Sequence, residues 1–199
     1  MDLERAFIQF DTPLLRYINF DVTKLGSHIN QLEIGFGNGE FLLNMAELFK
    51  EHTFFGIEYQ KKYFAKALKW AQLRRLPNVK IFCSEAESTL FFIFPDNFFD
   101  TIHINFPDPW PKKRHAERRL VNNDFVKALK KVLKKEGKVY IASDVEQYFL
   151  NIVSLLTENG FRPLNYEENA KKGRPFKTKY EKAFLKDNKK IFYGCLKKS

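Results

Sequence analysis

The segment Gly35-Phe36-Gly37-Asn38-Gly39 constrains this chain more than any other. It follows a short strand read at residues 29–34 and precedes a stretch with Phe41, Leu42, Met45 and Leu48 at helical spacing. A strand that passes through glycines into a helix lets the backbone turn tightly and lets a ligand lie against the main chain. The same alternation continues downstream. Residues 53–58 read as a second strand, 60–75 as a second helix ended by Pro77, 79–82 as a third strand and 99–105 as a fourth. Asn123 is expected to cap a lysine-studded helix that stops at Gly137. Residues 138–143 then form a fifth strand, 145–159 a helix, and 161–166 and 191–196 the later strands. This order specifies an α/β, Rossmann-like, doubly wound parallel sheet with helices on both faces.

Residues 1–199 read as one domain, with residues 1–24 as an N-terminal extension. Residues 167–190 are polar and lysine-rich, which suggests a long loop or loosely held helix. Loops of that length in compact domains usually serve function. No run of eighteen apolar residues exists, and Met1-Asp2-Leu3-Glu4-Arg5 lacks a cationic leader, so neither a membrane span nor a secretory signal is expected. Cys83 and Cys195 lie far apart without Cys or His at metal-ligand spacing. They suit buried apolar positions in a reduced, cytoplasmic protein without a metal site.

The net charge of +10 is unevenly placed. Residues 1–109 carry 11 Lys and Arg against 14 Asp and Glu, and residues 110–199 carry 23 against 10. A basic second half suggests a polyanionic partner. Lys127, Lys130, Lys131, Lys134, Lys135 and Lys138 are expected to face solvent, opposite Phe125, Ala128, Leu129, Val132 and Leu133.

Three acids lie at or just past strand ends. Glu58 lies 19 residues after Gly39, where a carboxylate can accept both ribose hydroxyls of an adenosine. Glu33 stands two residues ahead of Gly35. There it would repel the pyrophosphate of a dinucleotide but attract the cationic S-adenosylmethionine. Glu85 follows the third strand and suits either an adenine amine or the open surface.

The fourth strand leads into Asn105-Phe106-Pro107-Asp108-Pro109-Trp110-Pro111-Lys112-Lys113-Arg114-His115. Ligands of open parallel sheets bind beyond the carboxyl ends of the strands, where Asp108 falls between two prolines. Trp110, interleaved with Lys112, Lys113, Arg114, Arg118 and Arg119, suits a nucleic-acid base and its phosphates. His115 suits a phosphate or backbone contact.

Residues 106–120 resemble the signature of the bacterial tRNA (guanine-N(7)-)-methyltransferase family. The likeness extends to Gly35, Gly37 and Gly39 after Glu33, to Gly56-Ile57-Glu58, to Ser143-Asp144 and to Thr178-Lys179-Tyr180-Glu181. It implies a class I methyltransferase fold, with a mostly parallel seven-stranded sheet and one antiparallel strand near the C-terminus. It implies methylation of guanine N7 in tRNA, at position 46 of the variable loop, giving 7-methylguanosine. By the same resemblance Glu33, Glu58, Glu85 and Asp108 contact the cofactor or reaction centre. Lys112, Asp144, Thr178, Lys179, Tyr180 and Glu181 hold the substrate, and Arg114, His115, Arg118 and Arg119 meet the RNA. Glu85 stands where the family more often has Asp or Asn.

The chemistry assigns Asp108 to stabilising the cation formed on guanine, and Asp144 and Glu181 to accepting from its N1–H and N2–H. Tyr180 suits either stacking on a base or anchoring its segment to the core. Methylation of another RNA atom or of a small molecule, a tRNA-binding protein without catalysis and an NAD-dependent oxidoreductase are the competing readings. The basic half speaks against the small molecule, the intact acids and glycines against lost catalysis, and Glu33 against NAD. Monomer and homodimer both stay open.

Overall fold

The strand, glycine turn and helix form the centre of the sheet. The computed structural model describes Phe7–Gln9, residues 22–110 and residues 119–199. In chain order these form β1 (Phe7–Gln9), a 3-10 turn (Val22–Leu25), β2 (Asn30–Ile34), α1 (Glu40–Leu48), β3 (Thr53–Glu58) and α2 (Lys61–Leu73). Then come β4 (Val79–Cys83), α3 (Ala86–Phe92), β5 (Phe99–Asn105), α4 (Asn123–Val132) and β6 (Leu133–Ser143). The chain ends with α5 (Glu146–Glu158), β7 (Phe161–Leu164), α6 (Tyr166–Gly173), α7 (Lys179–Lys186) and β8 (Phe192–Lys198).

Among the described residues the strands form one sheet in the order β1-β4-β3-β2-β5-β6-β8-β7. All neighbours are parallel except that β8 runs antiparallel to both β6 and β7. The expected seven strands with one reversed are therefore present. An eighth, β1, pairs with β4 at the edge and comes from the segment read as an extension. The chain builds outward from β2 through β3 to β4, then returns to place β5 on the other side of β2. The crevice beyond β2 and β5 is thus the switch point where such sheets take ligands.

Strand alternation sends side chains to two cores. Phe55, Ile57 and Phe82 join Phe94, Phe99, Leu129 and Leu156 on one face, whereas Phe54, Val79 and Ile81 join Phe41, Met45 and Ala67 on the other. Much of the phenylalanine excess is spent on the first face. There the Phe94 and Phe99 rings meet edge-on at 4.7 Å and Phe55 meets Phe98 at 5.4 Å, geometries that suit the aromatic quadrupole.

Several boundaries differ from the sequence reading. Asn122, not Asn123, caps α4, its side chain accepting from the Phe125 amide. The helix stops at Val132 because Leu133 pairs with Phe99. The ladder then slips before Thr101 pairs with Lys138, and Glu136 takes a left-handed φ of 66° in the slipped stretch. The turn α3 was not anticipated. Of the two alternatives for residues 167–190, loop or helix, the helical one holds over most of them, in α6 and α7.

The inner face of α4 is buried as expected, but the lysines of α4 and β6 are not simply solvated. Lys134 bridges Asp100 at 2.8 Å, Lys131 donates to the Phe91 and Phe94 carbonyls, and Lys130 donates to the Asn159 carbonyl. Lys138 reaches Asn169. Long stems let these ammonium groups satisfy backbone ends of neighbouring elements. Cys83 and Cys195 are both buried.

Candidate active site

Gly35, Gly37 and Gly39 all adopt left-handed φ, at 70°, 53° and 77°. A Cβ on Gly39 would lie 2.7 Å from the Ala67 Cβ, so this glycine sets the close approach of α1 to α2. A Cβ on Gly35 or Gly37 would meet nothing within 4 Å, because that side of the turn faces a cavity. Glu58 fastens the turn from the end of β3. Its Oε2 accepts from the Gly37 amide at 2.9 Å and its Oε1 from the Gln60 amide at 2.8 Å. One carboxylate thus holds two loops and still lines the cavity.

Glu33 is almost wholly buried at the floor of that cavity. Its Oε1 accepts from Asn105 Nδ2 at 2.9 Å, and its Oε2 has no hydrogen-bond partner among the described residues. Burial pushes this carboxyl up to about 8, against the pull of the Asn105 hydrogen bond and the positive charge of Arg174. A buried carboxylate with an unpartnered oxygen suits a cationic ligand, which would supply the missing donor and the compensating charge.

The opposite wall is residues 106–110. Phe106 and Trp110 both adopt positive φ, 51° and 40°, so a strained backbone brackets Pro107-Asp108-Pro109. Phe106 is tied to β6 through its amide and the Ala142 carbonyl at 2.7 Å. Arg119 donates through Nε to the Pro109 carbonyl at 2.9 Å, and its guanidinium sits over the Tyr148 ring at 5.5 Å. Arg119, expected to meet RNA, is therefore engaged in holding the loop. Asp108 is exposed and lines the cavity, as do Trp110 and Asp144.

Helix α7 closes the third side. Thr178 and Glu181 form a reciprocal capping box at its start, which puts Thr178, Lys179 and Tyr180 on the cavity. Tyr180 is about half exposed (52%), with its ring 6.3 Å from Phe184, so it is not a core anchor. Glu181 does not reach the cavity. It is buried, with Oε2 accepting from Arg174 Nη2 at 2.6 Å and Oε1 from the Tyr193 hydroxyl at 2.6 Å. Burial alone would raise its carboxyl, but the bond to Arg174 and that residue's charge hold it below the usual range. The base-recognition role expected of Glu181 therefore gives way to an anchoring one.

Three residues of this site escaped the sequence reading: Asn105, Arg174 and Tyr193. Arg174 is the sole arginine among the lysines of residues 163–199, and that choice of a planar fork over a point charge was the available signal. Glu85 is exposed at the N-cap of α3 and does not line the cavity. Lys112, Arg114, His115 and Arg118 lie outside the described residues. Among the described residues no group of three His, Cys, Asp or Glu side chains could hold a metal ion.

The cavity, about 430 Å³, thus gathers Glu33, the glycine turn, Glu58, Asp108, Asp144 and the start of α7 at the switch point of the sheet. Strand order, reversed β8 and this site together define a Rossmann-like domain of the class I methyltransferase type. A family described as putative methyltransferase matches residues 27–193. The tRNA (guanine-N(7)-)-methyltransferase of Thermotoga maritima is 39% identical over 162 residues, which are 81% of this chain and 51% of that protein. The enzyme of the same name from Buchnera aphidicola is 38% identical over 165 residues, covering 81% and 69%. In structure, the aminoglycoside resistance methyltransferase NpmB1 superposes with a TM-score of 0.60 at 16% identity, covering 96% of this chain and 95% of that one. The chain belongs to the tRNA (guanine-N(7)-)-methyltransferase family. It spans about half the length of the Thermotoga relative and about two thirds of the Buchnera one.

Proposed function

We propose that this chain methylates guanine N7 in tRNA with S-adenosylmethionine as donor, in the variable loop, forming 7-methylguanosine. The observation that carries the reading is that Glu33, Asp108 and the first turn of α7 line one cavity. Kinship with the Thermotoga and Buchnera enzymes names the reaction. The residues fit the donor: Glu33 Oε2 is buried without a partner and suits its ammonium, and Glu58 is placed to take ribose hydroxyls on its remaining lone pairs. Glycines 35 and 37 leave open space against which the rest of the molecule can lie.

When bound, S-adenosylmethionine supplies a methyl group made electrophilic by a positively charged sulfur. Guanine N7 presents a lone pair and no proton, so the protein needs no general base there. The purine gains a positive charge in the reaction, and the exposed Asp108 carboxylate stabilises that charge while the bracketing prolines fix its direction. Asp144 accepts from the guanine edge. Tyr180 offers an exposed ring for stacking, and Lys179 beside it offers a charge for phosphate.

The test is incubation with methyl-labelled S-adenosylmethionine and unmodified tRNA, followed by digestion to nucleosides. Label in 7-methylguanosine is the expected result. Label absent from RNA overturns the reading, and label in another nucleoside corrects its target atom.

A further inference from the structure

An unbroken polar path runs from the floor of the cavity to its far wall. Glu33 Oε1 accepts from Asn105 Nδ2 at 2.9 Å, and Asn105 Oδ1 accepts from Arg174 Nε at 3.1 Å. Arg174 Nη2 donates to Glu181 Oε2 at 2.6 Å, which also accepts the Thr178 amide at 3.2 Å. Asn105 has one orientation here, since a flipped amide would turn oxygen towards the carboxylate and nitrogen towards the guanidinium. The ion pair of Arg174 with Glu181 is shut off from solvent, each side chain being 2% exposed. The guanidinium also lies near the Phe41 ring of α1 at 5.6 Å and the Tyr193 ring of β8 at 5.4 Å. One residue therefore touches the glycine-turn helix, the reaction strand and the cap of α7.

We propose that Arg174 is a positioning residue that couples occupancy of the cavity at Glu33 to the seating of α7, so that cofactor and tRNA bind with positive cooperativity. This rests on the methyltransferase reading above. A cation beside Glu33 Oε2 favours the ionised carboxylate, which strengthens the bond from Asn105 Nδ2. Hydrogen bonds in a chain polarise one another, so Asn105 Oδ1 becomes the better acceptor for Arg174. Arg174 in turn fixes Glu181, and through the capping box the position of Thr178, Lys179 and Tyr180 on the substrate side. Coupling of this kind is reciprocal: bound tRNA that fixes α7 tightens the hold on the cofactor by the same factor.

The test measures the affinity of S-adenosylhomocysteine, which permits no turnover, with and without saturating tRNA. Wild type, Arg174→Lys and Asn105→Ser are compared, with melting temperatures recorded for each. The wild-type ratio of the two affinities is expected to be about fivefold or more, falling towards one in both variants. Asn105→Ser leaves the pair of Arg174 with Glu181 in place, so it decides the matter should Arg174→Lys fail to fold. A purely structural pin would lower the melting temperature or both affinities with the ratio preserved, and that result overturns the proposal. A wild-type ratio of one with both ligands bound also overturns it while leaving the enzymatic reading intact. No tRNA binding by the wild type removes that reading and the coupling with it.

Discussion

Substituting Glu33 by Gln gives a signature in stability that depends on pH. Burial holds this carboxyl at about 8 in the folded protein, against 4.5 for an ordinary glutamate. Between those values the folded chain keeps a proton that the unfolded chain releases, so stability falls as pH rises from 4.5 through 8. Integrating the linkage gives a cost of about 1 kcal/mol at pH 5 and about 3 kcal/mol at pH 7. Glu33→Gln removes the titration. Whatever fixed cost the new amide carries, the variant should gain about 2.5 kcal/mol on the wild type between pH 5 and pH 7. For a chain of this size that is roughly 5–10 °C in melting temperature. Urea denaturation of both proteins at the two pH values reads the difference directly, and calorimetric titration with S-adenosylhomocysteine should show weakened binding by the variant. A stability difference identical at pH 5 and pH 7 would mean that Glu33 ionises like a surface acid, and the buried-carboxylate argument would fall.

The same titration makes ligand affinity pH-dependent: below about pH 7, S-adenosylhomocysteine should bind about tenfold tighter for each unit by which pH rises, because the ionised fraction of Glu33 rises with it, and calorimetry showing a flat response from pH 6 to 7 would contradict it. Asp108→Asn should cut single-turnover methylation on the order of 10²-fold while changing S-adenosylhomocysteine affinity much less; unchanged turnover removes Asp108 from the reaction. Filter binding should show tRNA affinity dropping steeply between about 50 and 200 mM salt, whereas equal affinity at both would make the cations of residues 110–199 a solvated surface only. Gly39→Ala meets both a left-handed φ and the Ala67 Cβ, so it should cost about 2–4 kcal/mol by thermal unfolding. Gly35→Ala, with open space around it, should cost about half that; equal losses would show that crowding against α2 is immaterial.

The α/β class was legible because β2, the glycine turn and β3 are defined by residues close in sequence. Periodicity also found the inner face of α4. It could not say where that helix ends, since the end is set by Leu133 pairing with Phe99 across the sheet. Helix α7 is too short and lysine-rich for its apolar residues to stand out in the sequence, although Thr178 and Glu181 stand at capping-box spacing at its start. Lys130 and Lys131 of α4 and Lys134 of β6 show the general limit. Their partners are carbonyls and an aspartate 29 to 106 residues away, which no local pattern predicts. Glu33 is legible as an acid of the site, but its neutralised state comes from burial beneath distant elements, which Asn105 and Arg174 oppose, and Glu181 is claimed by a buried arginine that no local pattern reveals.

The environment of Glu33 also bears on the order in which a nascent chain becomes competent. Its hydrogen-bond donor, Asn105, emerges 72 residues later, and the cation behind Asn105 follows after a further 69. Synthesis proceeds from the N-terminus, so the glycine turn and Glu58 are complete while Glu33 still lacks both. A ribosome-held chain ending before Arg174 carries the whole nucleoside-facing wall but neither the guanidinium nor the α7 wall. Such a chain should hold S-adenosylhomocysteine more weakly than the full chain does.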